Sequence, residues 1–215
     1  MAKLNTVIGI DPGFDGGIAL LHPPGEIIPE TYLEVLIMPV IEAKGKPRPG
    51  RKSPRTIREL DEVALRSILS PFANEGAVAF LEKQQPMLRY DPNRFNEQTK
   101  RMGMNVPPAV QSTWNLAGGY MFLRGLLCGL KIGCVLVPPK TWQCKMLGGM
   151  ERTDTKKASI QVAQRMYPSV DFRRSERCRN YHDGMTDAAL IATYGWQTMF
   201  GGTTGWQINR VSFSG

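Results

Sequence analysis

Val7-Ile-Gly-Ile-Asp11-Pro-Gly-Phe-Asp-Gly-Gly-Ile18-Ala-Leu20 runs from one apolar stretch through a glycine-rich turn into a second. That pattern predicts a β-hairpin whose first strand ends on Asp11. A carboxylate on the inner face of a buried strand is costly unless a cation or hydrogen bonds compensate for its lost hydration. Asp11 is therefore either ordinary Asp-Pro-Gly turn chemistry or a metal ligand, and residues further along the chain bear on the choice.

Working outward, Leu33 to Met38 reads as a third strand closed by Pro39. Residues 41–58 form a basic insertion with Lys44, Lys46, Arg48, Arg51, Lys52, Arg55 and Arg58, broken by Pro47, Pro49, Gly50 and Pro54. Such a composition cannot pack and predicts an exposed loop or hairpin arm. Apolar residues at Ile57, Leu60, Val63, Ala64 and Ile68 keep helical spacing, predicting a helix over 56–69. Residues 77–82, Ala-Val-Ala-Phe-Leu-Glu82, repeat the opening pattern, a short apolar strand ending on an acid.

The segment 83–111 has no sustained period and reads as a long irregular loop, with Arg89, Arg94, Lys100 and Arg101 set among Tyr90 and Phe95 as on surfaces that hold single strands or junctions. A helix is predicted over 112–130, with a small-residue surface at Gly118, Gly119, Gly125 and Gly129, then a fifth strand over 132–137. Helices around 142–147, 154–166 and 184–199 follow, with a basic patch at 173–179 before the last. The residues from 200 to 215 read as a tail.

With 215 residues, one domain over 1–199 with one sizeable core is the natural expectation. No apolar run is long enough to cross a bilayer and the first strand begins almost at once, so a cytoplasmic protein without a leader peptide is expected. The four cysteines, Cys128, Cys134, Cys144 and Cys178, are irregularly spaced. This argues against zinc and disulfides and for reduced thiols in or near the core. A formal net charge of +8, clustered along the chain, points to a polyanionic partner.

His182-Asp183-Gly-Met-Thr-Asp187 places two acids four apart at the mouth of the last helix, where they share a face and repel. A divalent cation reverses the sign of that interaction. With Asp11 and Glu82 at the ends of two strands, the four acids make an all-oxygen set suited to Mg²⁺ or Mn²⁺. Alone, Asp183 reads as an N-cap, Glu82 as a strand-end surface acid and Asp187 as a solvated helix position.

Together these residues resemble RuvC-type Holliday junction resolvases of the ribonuclease H-like superfamily. Gly9-Ile-Asp-Pro-Gly13 is similar to that family's first motif, Val78-Ala-Phe-Leu-Glu82 to its second and Asp187-Ala-Ala-Leu-Ile-Ala192 to its last. Phage and chloroplast-type members are the nearest in pattern: Met38-Pro39 leads into a basic segment, Pro138-Pro-Lys-Thr-Trp142 precedes Leu147-Gly148, and Tyr167-Pro168 follows a lysine-rich helix start. The likeness spans residue 7 to about residue 195. Two positions depart from it. Asp183 lies four residues before Asp187, as in chloroplast members, where bacterial members have an acid three before and this chain has Gly184. Gln143 stands where a lysine often follows the tryptophan, which leaves Lys145, Lys140 or no residue at all for that role.

The resemblance implies a ribonuclease H-like α/β fold, a five-stranded mixed sheet with helices on both faces. It also implies a homodimer that cuts four-way branched DNA by paired nicks through two-metal-ion hydrolysis, with Mg²⁺ as cofactor and Mn²⁺ able to substitute. Asp11, Glu82, Asp183 and Asp187 are then the metal ligands. Lys156, with Lys157 beside it, is the counterpart of the active-site lysine. Lys44, Lys46, Arg48, Arg51, Lys52, Arg55, Arg89, Arg94, Lys140, Lys145, Lys157, Arg173 and Arg174 are the candidate DNA contacts. Other readings are a nuclease for different branched or flapped DNA, a junction-binding module without cleavage, and an actin-like ATPase or sugar kinase, which also opens on Gly-Ile-Asp-x-Gly. The last needs two domains and a second phosphate loop that this chain lacks, and a binding module would be expected to have lost an acid.

Overall fold

A computed structural model describes residues 5–24, 32–47, 54–84, 89–96, 98–99, 101–106, 110–148 and 155–201. In chain order the elements are β1 (Val7–Asp11), β2 (Gly17–His22), β3 (Tyr32–Ile37), β4 (Val40–Pro47), β5 (Pro54–Leu60), α1 (Glu62–Leu69), a 3-10 turn (Ser70–Phe72) and β6 (Val78–Glu82). They continue with β7 (Arg89–Asn96), β8 (Arg101–Val106), α2 (Val110–Gly129), β9 (Gly133–Val137), α3 (Pro139–Met146), α4 (Thr155–Met166) and α5 (Asp183–Phe200).

The central sheet has five strands in the order β3-β2-β1-β6-β9. The first three form an antiparallel meander and the last two run parallel to β1, the five-stranded mixed sheet expected from the sequence. Parallel neighbours need a crossover, supplied by α1 before β6 and by α2 before β9.

Side chains alternate across the sheet and feed two cores. Ile8, Ile10, Ile18, Leu20, Ala79 and Leu81 pack with Leu65 and Leu69 of α1 and with Leu123 and Leu127 of α2. Val7, Ala19, Leu21 and Phe80 pack on the other face with Trp142 of α3, Ala163 of α4 and the run Ala188 to Ala192 of α5. α5 is buried nearly all round because it lies between the sheet and the helices α3 and α4. It sits so close to β1 that a Cβ at Gly9 would overlap the Ala188 carbonyl and the Ala192 amide. Only glycine permits that approach.

The basic insertion is a hairpin arm: β4 and β5 pair as a separate two-stranded ladder. Its strand β5 takes residues predicted as the first turn of a helix. The helix starts at Glu62, because the Asp61 carboxylate accepts the Ala64 amide at 2.9 Å and caps it there, and Pro54–Leu60 pairs with β4 instead. The segment 83–111, expected to be irregular, also holds a hairpin, β7 with β8. The ladder shifts register between Asp91 and Phe95, around Pro92, which has no amide to give it. The cysteines are free as expected but not in the core: Cys128, Cys134 and Cys144 are exposed and Cys178 is half-buried. Among the described residues no helix is long and apolar enough to cross a membrane.

Candidate active site

Counting by twos along β1 and β6 puts Asp11 and Glu82 on the same face as Val7 and Phe80, the face covered by α5. The parallel register pairs Ile10 with Leu81, so the two acids end neighbouring strands side by side. Carboxyl ends of parallel strands are where open α/β sheets place their ligands. α5 brings Asp183 and Asp187 to the same end in its first two turns. It is held there by a second close approach, in which a Cβ on Gly17 would lie 2.7 Å from the Gly184 carbonyl. His182 is the N-cap of α5, its ring accepting the Met185 amide at 3.3 Å. Asp183 is thus the first helical residue and not the cap, and its carboxylate pairs with Lys156.

The four carboxylates feel one another. Burial, then the charge of Glu82, raises the pKa of Asp11 to about 7, against weaker lowering by the Gly13 amide. Burial likewise raises Asp187 to about 7, with a hydrogen bond from Ser159 opposing and the charges of Asp11 and Asp183 adding. Glu82 is raised by burial, with its bond from Trp142 opposing and Asp187 adding. Asp183 behaves differently. Burial acts to raise it, but the hydrogen bond and charge of Lys156, with the Gly184 amide and His182, hold it below the usual carboxylate range. Lys156 Nζ lies 2.5 Å from Asp183 Oδ2 and is itself raised by that bond.

An indole and an amide donor fix Glu82: Trp142 Nε1 to Oε1 at 2.9 Å and Gln84 Nε2 to Oε2 at 3.3 Å. Trp142 is fully buried in α3. Ser159, buried in α4, serves Asp187. Neither the Trp142 nor the Ser159 role was legible in the sequence, since each contact joins residues far apart in it.

Among the described residues no three acidic, histidine or cysteine side chains stand close enough as they are to enclose an ion. Asp183 is paired with Lys156. The donor set nonetheless fits a hard divalent cation. All its donors are oxygens, Asp187 Oδ1 is buried without a hydrogen-bond partner, and burial together with neighbouring carboxylates raises Asp11 and Asp187 to about 7.

The candidate DNA contacts divide. Lys44 on the arm is exposed, as are Lys140, Lys157 and Arg174. Lys145 stands over the Tyr194 ring at 5.2 Å, and Arg173 is clasped by Asp171, with Nε to Oδ1 and Nη2 to Oδ2 both 2.9 Å. Arg58, read in the sequence with the phosphate-binding arm, instead turns inward to Asp15 and Phe14. Arg48, Arg51 and Lys52 lie outside the described residues, as do the side chains of Lys46, Arg55, Arg89 and Arg94.

No family model matches the chain, and no curated protein matches it. Among solved structures it is similar to Thermus thermophilus RuvC, with 14% identity over 91% of this chain and 96% of that one and a TM-score of 0.48. It is also similar to T. thermophilus RuvC in complex with Holliday junction substrate, at 11% identity over 91% and 97% of the two chains and a TM-score of 0.44. The yeast mitochondrial Holliday junction resolvase Ydc2 shows 15% identity over 93% of this chain and 81% of its own, with a TM-score of 0.43.

Proposed function

We propose that this protein is a structure-selective DNA endonuclease that resolves four-way junctions by paired, metal-dependent nicks. The observation that carries the proposal is the convergence of four carboxylates and one lysine, drawn from opposite ends of the chain, at the carboxyl ends of β1 and β6. Asp11, Glu82, Asp183 and Asp187 are the residues to hold Mg²⁺ or Mn²⁺, which when bound supplies an activated water and charge stabilisation at the leaving oxygen. Trp142 and Gln84 orient Glu82, and Ser159 orients Asp187 while leaving Oδ1 for the ion.

The protein is proposed to act as a homodimer, since a two-fold junction is cut by a symmetric pair of sites. Support comes from an apolar face on α2 and α1, where Trp114 is 75% and Val63 77% exposed beside a cleft of about 630 Å³. Cleavage of labelled four-way junction, flap and linear duplex with Mg²⁺, with light scattering on the same sample, tests both. Paired junction nicks by a two-chain particle are expected. Preference for the flap, or a monomer that nicks singly, overturns the reading.

The arm is expected to bind phosphates. Replacing Arg48, Arg51, Lys52 and Arg55 together by Ala should weaken junction binding. It should also lower the log-log salt slope by about 0.9 for each duplex phosphate that the arm no longer neutralises. Anisotropy titrations over a salt series measure it, and an unchanged slope means that the arm is only a solvated hairpin.

Lys156 is expected to stabilise charge that builds on the phosphate as water attacks. Contributions of this kind run to about 2–4 kcal/mol in other enzymes, so Lys156→Ala should slow single-turnover cleavage by about tenfold or more with little change in junction affinity. Lys157→Ala is the control. A normal rate in Lys156→Ala removes the lysine from the mechanism.

A further inference from the structure

We infer that Arg58 is a positioning residue that straps the basic arm to the turn behind Asp11, so that the arm and the carboxylate cluster move as one piece. The inference rests on the nuclease reading and adds to it a link between substrate contact and site geometry. Arg58 lies near the base of the arm on β5, opposite Glu42 of β4. Its guanidinium donates from Nη1 to Asp15 Oδ1 and from Nη2 to the Phe14 carbonyl, both at 2.9 Å. Nε lies 3.3 Å from Glu42 Oε1, an ion pair without hydrogen-bond alignment, and the group sits 5.9 Å over the Phe14 ring. With its charge met by two carboxylates and its fork occupied, this arginine is not placed to take a phosphate.

The turn it grips touches both halves of the site. On one side the Gly13 amide lies 3.5 Å from Asp11 Oδ1, and the Gly16 amide closes the turn on the Gly13 carbonyl at 2.9 Å. On the other side the Asp15 carbonyl and Gly16 abut Gly184, where any Cβ would overlap them. Gly184 follows Asp183 directly. A shift of Phe14 and Asp15 therefore reaches Asp11 through Gly13 and Asp183 through Gly184.

An ion pair to a carboxylate as exposed as Asp15, at 71%, contributes little to stability, whereas small misplacements of reacting groups are costly to rate. That contrast defines the test on the full-length chain. Arg58→Gln and Arg58→Lys should each lower the single-turnover rate at saturating junction by about tenfold or more. Both should also weaken Mn²⁺ binding to the DNA-free protein in calorimetric titration, with junction affinity and salt slope unchanged. Lysine keeps the charge but not the fork, so it should not rescue. Asp15→Asn, which leaves the packing intact, should shift both readouts in the same direction by less.

Normal rate and Mn²⁺ binding in folded Arg58 variants overturn the strap, as does a loss of junction affinity that Arg58→Lys restores, since that marks a phosphate contact. If the Arg58 variants do not fold, normal behaviour of Asp15→Asn overturns it. Wild-type protein that neither binds Mn²⁺ nor cuts a junction defeats the underlying nuclease reading, an outcome separable from failure of the strap alone.

Discussion

Asp11→Asn is expected to reduce junction cleavage by more than about a hundredfold, because disturbing even a group that only supports a metal ligand costs about 10- to 100-fold. Junction affinity should be retained, since the change leaves the arm untouched. The same variant should be no less stable than the wild type in the absence of metal. A carboxylate that burial and Glu82 push up to about 7 is strained when ionised, and the amide removes that charge without removing volume. Single-turnover cleavage, anisotropy and thermal melts at about pH 8, above that value, check the three parts. Substantial cleavage by Asp11→Asn would falsify its assignment as a metal ligand.

The second large effect is a pH-dependent response to divalent cation. Asp11 and Asp187 titrate in the folded chain at about 7 instead of 3.8. Between those values the folded state holds protons that the unfolded state has released. Their contribution to metal-free stability therefore falls as pH rises from about 4 to 7. A cation binds the ionised forms and offsets this, so the stabilisation by Mn²⁺ should be small near pH ~5 and large near pH ~8. At about a hundred times Kd it is about 2.7 kcal/mol, which for a chain of this size raises Tm by roughly 5–10 °C. His22 and His182, whose pKa values burial lowers, act in the opposite sense near neutrality. The increment on adding metal, not the raw midpoint, is therefore the quantity to read. An increment equal at the two pH values would mean that these carboxylates do not take up the ion.

Much of this was legible because two local patterns carry it. Short apolar runs along Val7–Asp11 and Val78–Glu82 mark buried strands that end on acids, and a spacing of four puts Asp183 and Asp187 on one helix face. What escaped was set by partners distant in sequence. Thr56 to Leu60 has helical spacing, yet it pairs with Val40 to Lys44 once Asp61 caps the helix behind it. The β7–β8 hairpin carries a proline in one strand, and the alternation that could announce it is confined to Met102, Met104 and Val106 of the other. Arg58 looked like the rest of its basic run until the turn at Phe14 and Asp15 came into reach, and Ser159 carried no signal at all before α4 lay against α5.

The seating of α5 against Gly9 also bears on the order in which a newly made chain acquires its properties. The first acid lies in the first strand and the last in the final helix, and that helix also fills the core over β1, β2 and β6. A growing polypeptide can form the arm early from neighbouring residues, but contacts spanning almost the full length are slow to close. Until the ribosome has released α5, one face of the sheet stays uncovered and half of the acids are missing. On the proposed nuclease reading, an unfinished copy would therefore carry the arm that meets DNA before it carries all the acids that cut it.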